Sequence, residues 1–263
     1  MLDVNTIFEE IESDFMNYID CYIDDEEDPE YRRLMELKKD HSMQVSAKAE
    51  SIAQAENFES RMILLCKVAG MLHDIGRFEQ IQIYGTLDDL NSVDHGDLGY
   101  EVLSNTGFLE HFETVEQLAL LFAVKNHNKR LVDDYPNEIT EVITKVTRDA
   151  DKLDVFRVMF NSLEEHIPEH TNAVLLGLTE SDDVTNDVAD YIESGKLVNK
   201  EVLVTTTDFY LMQLSWVFDL NFKSTLKKIK GSEYFQNLSD RLPDNDRVVK
   251  LKSIVFQHIT NQS

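Results

Sequence analysis

Six residues of this chain carry side chains that ligate metals, and they follow one another in an ordered series. They are His41, then His73 and Asp74 in LHDIG, His95 in VDHGDLGY, His127 in VKNHNK, and Asp151 in RDADKLD. Imidazole and carboxylate together make a donor set for a divalent transition metal. Such an ion lowers the pKa of a bound water from about 15.7 to about 7, which makes hydroxide available at neutral pH. The chemistry expected of the series is metal-dependent hydrolysis. No single member carries that inference. A lone His-Asp pair arises by chance in a chain with 8 histidines and 50 acidic residues, and His41 alone reads as a core histidine. The joint occurrence is what informs.

The elements that must position these residues are helical by period. Ile7, Phe8, Ile11, Phe15, Tyr18, Ile19 and Tyr22 recur at three- and four-residue intervals and predict a first amphipathic helix. The acidic, Pro-containing DDEEDPE at 24–30 ends it as a solvated linker. Leu34, Leu37, His41, Val45, Ala49 and Ile52 share one stripe of a second helix, so His41 is expected to point inward. Residues 60–72 are apolar nearly throughout and predict a buried helix that delivers His73 and Asp74, with Gly76 placed to terminate it. No period holds from Gln80 to Asp94, where an irregular loop is expected. Helical patterns follow near 97–105 and 113–126. A long one from Asn137 to Phe160 carries Asp151 and Asp154 beside its apolar side. The apolar run DFYLMQLSWVFDL at 208–220, with Trp216, reads as buried core, and Pro243 and Asp246 suit the start of the last helix. Nine Gly and four Pro are too few for the frequent turns of a strand-rich fold. The expected fold class is all-α, one unit over 1–263. Its metal-binding core spans 30–160, and a C-terminal helical extension at 180–263 packs on that core.

LHDIG following an upstream helical His, with ADKLD downstream, resembles the HD-domain superfamily of metal-dependent phosphohydrolases, from His41 to Asp154. The resemblance implies an HD-domain helical bundle in which His41, His73, Asp74 and Asp151 ligate one ion, with Asp74 and His73 as the catalytic residues. Asp151 is favoured over Asp149 and Asp154 because the family's ligand directly precedes a Lys/Arg-apolar-acid element. The other two acids would then orient a ligand or a water. HGDLGYEVL is similar to the segment through which binuclear members, HD-GYP cyclic dinucleotide phosphodiesterases among them, contribute a third His. A second ion, held by His95 and His127, is implied. NHNKRLVDDYP departs from the corresponding HD-GYP element, with Asn126 for its first His and Asn128 for its Glu. A cyclic dinucleotide is therefore not the expected substrate.

Mixed nitrogen and oxygen ligation points to Mn, Fe, Co or Ni before Mg. The expected partner is a small phosphorylated substrate, a nucleotide in first place. Arg77, Lys125, Lys129 and Lys152 lie near the ligands in sequence and are the candidates to hold its phosphate. The same ligand order also resembles the di-iron oxygenases related to myo-inositol oxygenase. A non-catalytic ligand-binding or signalling module is the third reading. His111, His166, His170 and His258 lack such context and read as surface or structural residues.

The formal charge of −25, from 50 acidic and 25 basic residues, repels phosphate backbones. Neither a nucleic acid polymer nor an anionic membrane is an expected partner. Cys21 and Cys66 lie far apart and outside any CxxC pairing, which suits a reducing compartment, and Cys66 falls in an apolar run as a small core residue. MLDVNTIFEEIESDF lacks a hydrophobic signal region, and no run approaches the roughly 18 apolar residues of a membrane helix. The expected location is cytoplasmic. No Walker loop, GxSxG elbow or CxxC zinc site is present.

Overall fold

Asp28 and Pro29 start the helix that carries the first histidine. The Asp28 carboxylate accepts from the Glu30 backbone N–H at 2.8 Å, and Pro29 occupies the first turn, where a missing N–H is no loss. Helix α2 (Pro29–Ala55) then buries Met35, His41, Val45, Ala49 and Ile52 along the expected stripe. It follows α1 (Val4–Asp25), whose Ile7, Phe8, Ile11, Phe15, Ile19 and Ile23 are buried. Each such side chain contributes about 1.5–3 kcal/mol over an exposed position. The structure, a computed structural model, describes residues 3–25, 28–164 and 177–262. Part of the 24–30 linker, and both His166 and His170, lie outside the described residues. Among the described residues there is no strand, only an isolated bridge between Thr179 and Thr205. The fold is all-α, and the chain divides into two compact units, Met1–Asp151 and Lys152–Ser263.

In the first unit, α3 (Ser60–Leu72) packs on α2, and the Ser46 hydroxyl donates to the Lys67 carbonyl at 2.9 Å. Its Leu64, Leu65, Cys66, Val68, Met71 and Leu72 are buried, as the apolar run predicts. Burial pushes the Cys66 thiol up to about 12, so it is a protonated core group. The helix ends at Leu72, and His73, Asp74 and Ile75 form a turn.

Gly76 does not terminate α3; it opens α4 (Gly76–Tyr84). A Cβ at Gly76 would lie 2.5 Å from the Gly99 nitrogen and 2.6 Å from the His95 carbonyl oxygen. Glycine is needed there for close backbone approach, not for an unusual φ. The left-handed terminator is Gly85, at φ 64°, whose N–H returns to the Ile81 carbonyl at 2.8 Å. The irregular stretch therefore begins at Gly85, not Gln80, and contains one 3₁₀ turn at Asp89–Asn91. Gln80 explains the difference. It is a fully buried polar residue that breaks the apolar period, and its amide donates to Ser92, Val93 and Asp89 at 2.8, 2.9 and 3.0 Å.

Helix α5 (His95–Asn105) starts two residues earlier than the pattern predicts, because Asp94 caps it by accepting from the Gly96 and Asp97 N–H groups. Helix α6 (Thr114–Asn126) packs against α5. Helix α7 (Glu138–Glu164) runs from the first unit into the second and buries Ile143, Val146 and Ala150. Its buried Thr144 and Thr147 hydroxyls donate to carbonyls four residues back at 2.7 and 2.9 Å.

The second unit gathers α8 (Asn186–Glu193), α9 (Thr206–Ser215), α10 (Lys223–Lys230), α11 (Glu233–Asp240) and α12 (Asp246–Gln262) around its own core. The 208–220 run is buried within that core at Phe209, Leu211, Met212, Leu214 and Val217, and tightens to a 3₁₀ turn at Trp216–Asp219. Phe156 packs edge-on to Phe235 with centroids 5.8 Å apart and is tilted against Trp216 at 5.3 Å.

Candidate metal centre

Five helices bring the six expected residues to one place in the first unit. His41 lies inside α2, His73 caps the end of α3 with Asp74 next to it, His95 is the first residue of α5, His127 caps the end of α6, and Asp151 lies inside α7. All but Asp151 are buried, and the Asp151 side chain is 23% exposed. The close approach at Gly76 sets the Asp74 turn on the first turn of α5. Gly96 does the same for the next joint, since a Cβ there would lie 2.7 Å from the Lys125 carbonyl oxygen at the end of α6.

Asp74 divides the cluster. Its Oδ2 faces His41 Nε2 at 3.7 Å and His73 Nε2 at 3.6 Å, and Asp151 Oδ1 lies 3.2 and 3.7 Å from the same two nitrogens. Its Oδ1 faces His95 Nε2 at 3.4 Å and His127 Nε2 at 3.5 Å. Within each pair the Nε2 atoms face one another, His41 to His73 at 3.2 Å and His95 to His127 at 3.0 Å.

The far sides of the rings account for this orientation. His73 Nδ1 lies 2.8 Å from the Gly70 carbonyl and His127 Nδ1 2.7 Å from the Val124 carbonyl, each three residues back in the last helical turn. Donation from Nδ1 leaves the Nε2 lone pair pointing at Asp74. His95 Nδ1 lies 2.6 Å from Asp89 Oδ2, a carboxylate–imidazole pairing. Burial pushes His127 down to about 4, helped by His73 and His95 and opposed by Asp74, so its ring is neutral at pH 7. Burial alone would raise the Asp74 carboxyl, yet Lys38 first, then His73, His127 and Arg77, hold it well below the usual carboxylate range. Asp151 is likewise raised by burial and held low by His41 and His73. Imidazole nitrogens that face each other, beside ionised carboxylates, fit a divalent cation.

Three contributors escape a reading of the sequence by motif. Lys38, one turn before His41 on α2, places Nζ 2.7 Å from Asp74 Oδ2. Asp89, in the irregular stretch, is held by Arg77 Nη1 at 2.8 Å and by Gln80. Its carboxyl is raised by burial but kept far below its ordinary value by His95 and Arg77. Arg148, three residues before Asp151, is buried and donates to the His127 carbonyl at 3.0 Å and to those of Asn126 and Lys129, which anchors the end of α6 to α7. For Lys38 and Arg148 the signal available in sequence is three-residue helical spacing to a residue of the cluster, His41 or Asp151.

The four basic residues expected to hold phosphate are each engaged by a carboxylate. Arg77 is tied to Asp89, Gln80 and the Leu87 carbonyl. Lys129 pairs with Asp94 at 2.5 Å, and Lys125 lies 3.6 Å from Asp97 and over the Tyr100 ring. Lys152, in the second unit, pairs with Asp219 at 2.7 Å. Asp154 is taken up by both arms of Arg157 at 2.8 and 2.9 Å, and Asp149 is buried. The His111 ring meets the half-exposed Glu10 at 3.3 Å while its carbonyl accepts from Arg61, and His258 packs edge-on to Phe218, as surface and structural residues do.

An all-helical scaffold that converges imidazoles and carboxylates on one buried aspartate is an arrangement that suits a metal ion. Residues 39–157 match the HD domain family, so this segment carries an HD domain, which marks metal-dependent hydrolases in general. Neither a curated protein nor a solved structure matches the chain.

Proposed function

We propose that the protein is a metal-dependent phosphohydrolase of small phosphorylated molecules, nucleotides in first place, and that it holds two ions. The observation that supports this most is the division of Asp74, whose two oxygens face separate imidazole pairs. His41, His73 and Asp151 with Asp74 Oδ2 would hold one ion, and His95 and His127 with Asp74 Oδ1 the other. A divalent transition metal supplies Lewis acidity there, which acidifies water and offsets charge on a phosphoryl oxygen. The protein's own contribution is positional. Asp74 is kept ionised by its cationic and imidazole neighbours, so both of its oxygens remain acceptors. His73, with no exposed surface, is fixed by Gly70 and cannot turn its Nε2 away. Asp89 and Arg148 fix His95 and the backbone of His127 in the same way. The acidic surface favours a small substrate over a polyanionic polymer. Among the described residues no helix is long and apolar enough to cross a membrane, and we place the protein in the cytoplasm.

The test combines metal analysis of the purified protein with anaerobic phosphate release from a panel of nucleoside mono-, di- and triphosphates. Divalent metal together with Mn-supported release without O₂ is expected. Iron with O₂ consumption and no phosphate release would overturn the proposal in favour of the oxygenase reading. Metal-free protein without turnover would favour a non-catalytic module.

A further inference from the structure

We propose that the outward face of α6 is the contact through which two copies of this chain pair antiparallel, an inference that stands apart from the metal chemistry. The helix, TVEQLALLFAVKN, is apolar on two faces. Ala119, Leu120, Ala123 and Val124 are buried in the first unit and take up the inner face. Val115, Leu118 and Phe122, three and four residues apart, form a second stripe on the opposite side. Val115 is 41% and Leu118 61% exposed, and Phe122 is half-buried beside Tyr135, with ring centroids 6.1 Å apart. A surface helix carries polar residues on its outer face, whereas a helix apolar all round is one that is covered on both sides. A single exposed leucine needs no explanation, but a stripe along two turns marks a contact surface.

The charges at the ends of the stripe identify the occupant as a second copy. Glu113, exposed, precedes Leu118 by five residues, and Lys125, exposed, follows it by seven. Val115 and Phe122 lie three before it and four after. The stripe is thus close to symmetric about Leu118 in its apolar part and opposite in charge at its ends. Two such helices laid antiparallel about a two-fold axis at Leu118 set Val115 against the second copy's Phe122 and Glu113 beside its Lys125. An isologous contact requires this self-complementarity, in which one residue meets another and is met by it in return. A uniformly acidic or basic partner would fit one end and be repelled at the other. The Lys125 ammonium, 3.6 Å from Asp97, has three donors and so keeps some for a second carboxylate. The charge of −25 per chain opposes association at long range. A Debye length of about 8 Å at physiological salt confines that repulsion to charges near the contact.

Sedimentation velocity of the whole chain at physiological salt, from low to high micromolar concentration, tests this. Wild-type protein is expected to sediment with the mass of two chains. L118E sets two carboxylates against each other on the axis, and should raise the dissociation constant at least about thirtyfold, the effect of losing a central contact residue. Its thermal melting transition should persist, because Leu118 is on the surface of the single chain. A second variant, L118C, is made together with C21S, which removes the exposed native cysteine and leaves the buried Cys66. The two-fold axis brings position 118 close to its own copy, so mild oxidation is expected to link the chains through it. Wild-type protein that stays a single chain throughout would overturn the proposal, as would a folded L118E that dimerises undiminished. A dimer in which L118C does not crosslink would place the contact on another face and overturn it equally. Should L118E lose its melting transition, the crosslink alone decides.

Discussion

The two sides of Asp74 are built alike and charged differently. Each side pairs one imidazole from within or at the start of a helix, His41 or His95, with one at a helix end, His73 or His127, and each helix-end ring is held by the carbonyl three residues back. The Oδ2 side adds Asp151 as a second carboxylate, 3.2 Å from His41, and Lys38 beside it. On the Oδ1 side Asp151 is more distant, within 4.8 Å of His127, and Asp89 stands behind His95. The difference teaches that shape and charge are supplied separately. Orientation comes from helix ends and is common to both sides. The close second carboxylate, a direct donor to a cation, stands on one side, so the Oδ2 side is expected to bind a cation more tightly even with Lys38 beside it, and the Oδ1 side to depend on Asp89.

The largest effect is expected from Asp74→Asn, which weakens both sides at once. Bound metal measured by mass spectrometry should fall by more than the roughly 10–100-fold affinity loss that follows removal of an outer partner. Retention of full metal would break the comparison at its root. Gly76→Ala attacks the joint between the sides. Its added Cβ meets the Gly99 nitrogen and the His95 carbonyl at 2.5 and 2.6 Å, both backbone atoms that cannot rotate away. A destabilisation of about 1–3 kcal/mol in denaturant melts is expected, with loss of metal from the His95 side. Asp89→Asn sharpens the comparison, since it removes the charge behind His95 and touches neither His41 nor His73. The weaker of two metal-binding steps should lose about 10–100-fold in affinity while the tighter one stays in place. His111→Ala is the control. Its partner Glu10 is half exposed, so stability should change by less than about 0.5 kcal/mol and metal content not at all.

The His and Asp residues that converge on the site are legible in sequence because metal chemistry restricts residue type and helical period restricts direction. His41 lies on an apolar stripe, and His73 and His127 follow apolar helices, so inward placement follows from local pattern alone. Their supports were not legible for the opposite reason. Asp89, Gln80 and Arg77 meet across a segment with no period, and their contacts exist only once α4 is laid against α5. Gly76 suggests a terminator because glycine is frequent there, whereas tertiary crowding by Gly99 and His95 is what excludes a side chain. The expected phosphate cations lie near the cluster in sequence, and each is held by a carboxylate of another element that sequence order does not reveal.

Metal stoichiometry in single histidine variants tests the division of Asp74 most directly. Wild-type protein titrated with Mn should take up two ions per chain in two steps of unequal affinity. His95→Ala and His127→Ala should each abolish the weaker step, keep the tighter one, and leave the helical content unchanged. A single ion per wild-type chain, with uptake unaltered in both variants, would contradict the account.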